Sequence, residues 1–135
     1  MTSSKSYSLG KSERLKSRKQ IDSLFESGKK ITLFPFRLLY QTEPGKGEIK
    51  AAFTVSSKNF PRAVDRNRIK RLSRECYRLQ KKELETKVHK NKNLLHLFFI
   101  YTGKGILSYE EISVRLKQVL DKLIQLIHEI HPENT

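Results

Sequence analysis

Between Lys58 and Lys82 the chain places ten cations, Lys58, Arg62, Arg66, Arg68, Lys70, Arg71, Arg74, Arg78, Lys81 and Lys82, against two acids, Asp65 and Glu75. Their chemistry is that of polyanion recognition: a planar guanidinium meets a phosphate through two donors and stacks on a base, which an ammonium does not do. Arg66, Lys70, Arg74 and Arg78 recur every four residues, a spacing that lines them along one face of a helix. Like charges at that spacing cost an isolated helix roughly a few tenths of a kcal/mol per pair, and a partner of opposite charge removes the cost. An ordinary solvated face would mix glutamate with lysine instead. Asn67, between Arg66 and Arg68, adds a donor and an acceptor for a sugar hydroxyl or a base edge. On the same helix Ile69, Leu72, Cys76 and Leu79 form an apolar stripe, which gives it a core side and a cationic side.

Several elements must hold that helix in place. Residues 1–16 are rich in serine and lysine and read as a flexible basic arm, whose Lys5, Lys11, Arg14 and Lys16 can still meet phosphates. Ser17 and Gln20 make a capping box for a short helix with Ile21, Leu24 and Phe25 on one face, and Gly28 is placed to end it in a left-handed cap. Ile31 to Tyr40 favours extended chain but is interrupted by Pro35, giving an edge strand or two short strands. From Phe36 onward, Phe36, Leu38 and Tyr40 share one face while Arg37 and Leu39 take the other. Glu43 to Glu48 is a loop, and Ile49 to Val55 is expected to return as the antiparallel partner. The basic helix begins between residues 59 and 65. Behind it, KKELETKVHKNKN reads as a charged helix end and a loop. Leu94 to Tyr101 is the most apolar run and fits a central strand buried on both faces. Ser108 and Glu111 cap a last helix, with Leu107 and Ile112 as a staple. Its Ile112, Leu116, Val119, Leu120, Leu123 and Ile127 cover the sheet.

The expected organisation is a flexible arm over residues 1–16, a single α+β RNA-binding domain over 17–131 and a short tail over 132–135. One hundred and thirty-five residues with a formal charge of +14 suit one domain with a nucleic-acid partner. No apolar run approaches the ~20 residues of a membrane span. The single cysteine, Cys76, excludes an internal disulfide and suits a reducing cytoplasm, and its place on the apolar stripe favours packing. No nucleophilic triad is visible. Asp65, Glu75 and Glu83 stand among arginines, which hold them ionised and unsuited to general acid work. His96 within the apolar run has no partner at ligand spacing. TGKG at Thr102 to Gly105 lacks the spacing of a phosphate loop. His128, Glu129 and His131, at the end of the last helix before Pro132, read as helix-end residues and not as a metal site.

AVDRNRIKRLSRE resembles the signature of the bacterial ribonuclease P protein component, its Arg-Asn-Arg core falling on Arg66, Asn67 and Arg68, with Ile69, Lys70, Arg71 and Arg74 following. RLKSRKQIDSLFESG resembles the first helix of the same family, and the likeness runs in order from about Arg14 to Leu126. It implies an αβββαβα fold, one small sheet backed by helices, with a left-handed crossover through the basic helix. It also implies an accessory subunit of an RNA enzyme. The catalytic RNA subunit holds the magnesium ions, and the protein binds no cofactor or metal itself and needs no obligate protein partner. Precursor tRNA is the substrate, and hydrolysis of one phosphodiester removes its 5′ leader. A ribosomal or general RNA-binding protein is the alternative that shares the charge. The resemblance assigns Arg62, Arg66, Asn67, Arg68, Lys70, Arg71 and Arg74 to RNA, and it places a leader cleft between the first helix and the sheet.

Unpaired nucleotides favour aromatic platforms beside cations. Phe25, Phe36 and Tyr40, with Lys58 nearby, supply these if they face one another, and are ordinary core if they do not. The family's strand aromatic falls, by spacing from Gly28, on Leu39, with Tyr40 one place on. Either the strand shifts by a residue or this surface is less aromatic. SSKNFPR departs from the commoner Lys-Lys and Gly pattern of the family in the approach to the helix.

Overall fold

Two serine hydroxyls start helices here: the Gln20 amide donates to Ser17 Oγ at 3.2 Å and the Glu111 amide to Ser108 Oγ at 3.1 Å. The computed structural model describes residues 13–130. They form α1 (Arg18–Ser27), β1 (Lys29–Leu33), β2 (Phe36–Pro44), β3 (Glu48–Val55), α2 (Ala63–Gln80), α3 (Lys82–Asn91), β4 (Asn93–Tyr101) and α4 (Tyr109–Ile130). Gly28 ends α1 for want of space and not through a left-handed turn. Its backbone is extended (φ −70°, ψ 156°), and a Cβ there would lie 2.5 Å from the Leu24 carbonyl oxygen.

Pro35 divides the expected first extended run into a hairpin: β1 and β2 pair antiparallel from Lys29 opposite Tyr40 to Leu33 opposite Phe36. The expected pairing of β3 with β2 does not occur. The sheet order is β1-β2-β4-β3, with β4 antiparallel to β2 and parallel to β3. The loop from Pro44 to Glu48 permits this. Four extended steps reach about 13 Å, more than the ~9.5 Å across two strand spacings. The loop therefore straddles the start of β4, so closely that a Cβ on Gly45 would lie 2.7 Å from Leu94 Cβ. The most apolar strand takes an interior slot, where both its edges are paired and Leu95, Leu97, Phe99 and Tyr101 are buried on one face.

On one side of the sheet, Phe36, Leu38, Tyr40, Leu95, Leu97, Phe99 and Tyr101 pack beneath α2, α3 and α4 in one continuous core. All six residues expected to form the apolar face of α4 are buried there. The stripe of α2 is rotated from its expected position. Ile69, Ser73, Cys76 and Tyr77 are buried, Leu72 is half-buried, and Leu79 is 57% exposed. Tyr77 takes the expected place of Leu79 because its ring fills the space beside Phe53 and Phe99, at centroid distances of 5.6 and 5.7 Å.

Residues 82–91 are helix α3 and not a loop, so two helices separate β3 from β4. Only Leu84 and Val88 of its ten residues are buried apolar groups. Burying each contributes about 1.5–3 kcal/mol, far more than a like-charge pair on the exposed side costs. The folded chain also begins before Ser17: Leu15 is buried against Leu24 and Leu39, and its amide donates to the Ala51 carbonyl at 3.0 Å. Residues 14–16 are thus part of the domain, while residues 1–12 of the expected arm and the tail at 132–135 lie outside the described residues.

Candidate nucleic-acid interface

Helix α2 buries Ile69 and Cys76 and turns the opposite side outward, where Asn67, Arg71 and Arg74 follow at i, i+4 and i+7 with Arg68 beside them, all exposed. Burial pushes the Cys76 thiol above its ordinary value, which keeps it a packing group. The expected row of four cations is divided by its partners. Arg66 folds back over the helix start and donates to the Phe60 and Pro61 carbonyls, each at 2.8 Å. Arg78 meets Glu75 at 2.7 Å with its side chain only 9% exposed. Lys70 is half-buried, and Arg62 is exposed at the helix start with Asp65 at 3.4 Å. Asp65 and Glu75 are each held by an arginine, and among the described residues no three His, Cys, Asp or Glu side chains gather in a cluster that fits a metal ion.

The N-terminal segment lies along the second half of α2. Arg14, Leu15 and Lys16 close one side of a cavity of about 520 Å3, and Arg71, Arg74, Glu75 and Arg78 close another. Partial burial, then the charges of Arg14 and Arg71, pull the Arg74 guanidinium below its ordinary value.

The sheet separates Phe25 from Phe36 and Tyr40, three of the four residues expected in a leader cleft. Phe36 and Tyr40 are 1% and 3% exposed beneath the helices, where Phe36 meets Phe99 and Tyr101 edge-on. Burial raises the Tyr40 hydroxyl pKa. Neither offers a ring to a base. Phe25 lies on the other side, 58% exposed on α1, with its ring 5.4 Å from that of Phe98 in an edge-on contact. Lys58 is exposed in the turn after β3, its amide bonded to Ser56 Oγ at 3.2 Å. There is no strand shift: Leu39 packs with Leu24 below α1, and Tyr40 stays in the core.

The aromatic of the open side comes from β4. Leu39, Phe98 and Ala52 lie in register across three strands, and Arg37, Ile100 and Thr54 lie in the next row. Phe98, Ile100 and Thr54 are half-buried, and Arg37 is exposed. Sequence reasoning missed Phe98 by reading β4 as fully buried. The alternation in LLHLFFIY sets Phe98 and Ile100 opposite Leu97 and Phe99, and that signal was available. His96 is buried within this interior strand, flanked by Gln41 and Lys50.

A cationic helix beside a half-covered sheet, with exposed Phe25 against half-buried Phe98, defines a small α+β polyanion-binding protein. The family model described as Ribonuclease P matches residues 9–125. The ribonuclease P protein component of Porphyromonas gingivalis is 32% identical over 128 residues, 91% of each chain. The RNase P protein from Thermotoga maritima has a TM-score of 0.65 at 22% identity, covering 82% of this chain and 96% of that one. The RNase P protein of Staphylococcus aureus has a TM-score of 0.63 at 21% identity, covering 84% and 96%. The chain belongs to the ribonuclease P protein family, whose members are components of a ribonuclease, and this favours that reading over a general RNA-binding protein.

Proposed function

We propose that this chain binds the catalytic RNA of a ribonuclease P through the outer side of α2 and receives the 5′ leader of precursor tRNA on the open side of the sheet. One observation carries the reading: Asn67, Arg68, Arg71 and Arg74 are exposed on the side of α2 opposite the buried Ile69 and Cys76. A phosphate backbone supplies the opposite charge that this side lacks, and each neutralised phosphate releases counterions. Arg62 and Lys70 extend the contact, while Arg66 positions the helix start through the Phe60 and Pro61 carbonyls. Phe25, with Phe98 behind it, offers a stacking surface to unpaired leader bases, and Arg37 and Lys58 supply charge near the backbone.

Magnesium ions belong to the RNA partner and supply the charge neutralisation and water activation that hydrolysis of one phosphodiester requires. Asp65 and Glu75, engaged by Arg62 and Arg78, do not make a carboxylate cluster for such an ion. The work of this chain is to position the leader and to neutralise phosphate charge in a cytoplasmic ribonucleoprotein endonuclease of tRNA processing.

The test compares precursor tRNA cleavage by pure protein, by the catalytic RNA and by both over a magnesium titration. The protein alone is expected to leave the substrate intact, and the pair to cleave at lower magnesium than the RNA does. RNA-free cleavage that survives repurification overturns the assignment of chemistry to the RNA.

A further inference from the structure

Three connections at one end of the sheet are tied into a single surface. The turn between β1 and β2 is anchored by Pro35, whose carbonyl accepts from the Thr102 amide at 2.7 Å and from Thr102 Oγ1 at 3.0 Å. Asn59, in the turn between β3 and α2, donates from Nδ2 to the Thr102 and Gly103 carbonyls at 3.5 and 3.4 Å. The loop from β4 to α4 is closed by the Tyr101 hydroxyl, which donates to the Gly105 carbonyl at 2.8 Å and accepts from the Leu107 amide at 3.1 Å. Gly103 lets the three approach: a Cβ there would lie 3.1 Å from the Tyr101 ring and 3.4 Å from Pro35. On this surface Phe34 stands 59% exposed, as open as Phe25, and its ring meets no other ring among the described residues. The three connections, residues 34–35, 56–62 and 102–108, carry Lys58, Arg62 and Lys104 and no acid. Asp65, in the first turn of α2, engages Arg62 at 3.4 Å, while Lys58 and Lys104 pair with no carboxylate among the described residues.

We infer that Phe34 is a second stacking platform and takes an unpaired nucleotide of the catalytic RNA, with Lys104 nearby for its phosphate. An unpaired base brings a flat apolar face and a negative backbone, and this surface answers with an open ring among cations. The hydrogen bonds that join the three connections hold the turn in place before any RNA arrives, which lowers the ordering cost of binding. Continuity decides the source. The turn that contains Asn59 runs on through Phe60 and Pro61, whose carbonyls hold Arg66, into the cationic side of α2. A strand lying along Arg68 and Arg62 therefore reaches this end of the sheet next. The leader surface has its own platform in Phe25 and Phe98, at the Leu39 row in the middle of β2. In naming the catalytic RNA the inference rests on the proposed function.

The test measures binding of the whole protein to the catalytic RNA over a salt titration, with a melting temperature for every variant. Phe34→Ala is expected to weaken binding about tenfold and to leave the salt slope and melting temperature unchanged, since a stack releases no ions. Phe34→Tyr should keep the affinity and Phe34→Leu should lose it, because leucine is apolar but not flat. Lys104→Ala should lower the slope of log affinity against log salt by about 0.7–0.9. Val114→Ala, at an exposed apolar residue of α4, should change nothing. Undiminished binding by Phe34→Ala, beside normal binding by the unaltered protein, overturns the platform and leaves the proposed function standing. An unaltered protein that does not bind the RNA overturns both. Full affinity in Phe34→Leu overturns stacking, and a melting temperature that falls with the affinity places Phe34 in the fold instead. A loss confined to precursor tRNA, measured with saturating RNA subunit, moves the ring to the leader and overturns the choice of partner.

Discussion

The two sides of the sheet are covered very differently. One lies under α2, α3 and α4 and buries Phe36, Tyr40, Phe99 and Tyr101 to 3% exposure or less. Among the described residues the other carries the ten-residue α1 and Leu15 before it, and there Phe25 stays largely exposed and Phe98 half-buried. Aromatic side chains of the same type therefore do different work on the two sides. Under three helices they supply burial and edge-on contacts; under one they are left with ring surface that a base can meet.

The sharpest break of this comparison is Phe36→Ala against Phe25→Ala. Removing the Phe36 ring from the closed side should cost about 3–5 kcal/mol in urea unfolding, the usual range for such a core deletion. Affinity for precursor tRNA, per folded molecule, should hold. Phe25→Ala should leave stability within about 1 kcal/mol. With saturating RNA subunit it should weaken precursor tRNA binding by about 1–3 kcal/mol, the worth of one base stack, and leave mature tRNA unaffected. If both tRNAs weaken equally, the open side is not the leader surface.

Within α2 the same contrast separates Arg68 and Arg71 from Arg66. Substituting Arg68 and Arg71 with alanine should lower the slope of log affinity for the catalytic RNA against log salt by about 0.7–0.9 per lost phosphate contact. Thermal stability should stay near its starting value. Arg66→Ala should lower the melting temperature as well, because it frees the Phe60 and Pro61 carbonyls. Equal melting temperatures would place Arg66 with the RNA-facing group.

The smallest expected effect concerns His96, the most covered residue on the α1 side of β4. Burial holds its imidazole below the ordinary value of 6.5, with Glu43 opposing the shift and Lys50 adding to it. Below about pH 6.5 the unfolded chain takes up a proton that the folded chain refuses, so stability should fall as the pH drops through that value. His96→Gln should flatten the dependence between pH 7 and 5, measured by urea midpoints. An unchanged slope would mean that other groups carry it.

Much of this molecule was legible because it is local. Ser17, Ser108 and the alternation of cations and apolar residues from Ile69 to Cys76 act within one or two helical turns, so capping and periodicity located α1, α2 and α4 before any fold was known. Helix α3 escaped because Leu84 and Val88 are too few to make a pattern against so many charges. Their weight comes only from the core they enter.

The sequence by itself determined the starts of α1 and α4, the cationic side of α2, the hydrophobic content of β4 and the family to which these residues point. It also determined which residues of each strand share a side, since alternation is built into extended chain. Which of those sides is dry was decided by where three helices pack, and that put Tyr40 in the core and Phe98 near the surface. Strand order was likewise a tertiary matter: adjacency along the chain favours a β2–β3 hairpin, but β4 pairs both its edges by lying between them and buries Leu95, Leu97 and Phe99 under the helices. The docking of Arg14 beside Arg71 and Arg74 has the same origin, a contact across more than fifty residues that no local rule contains.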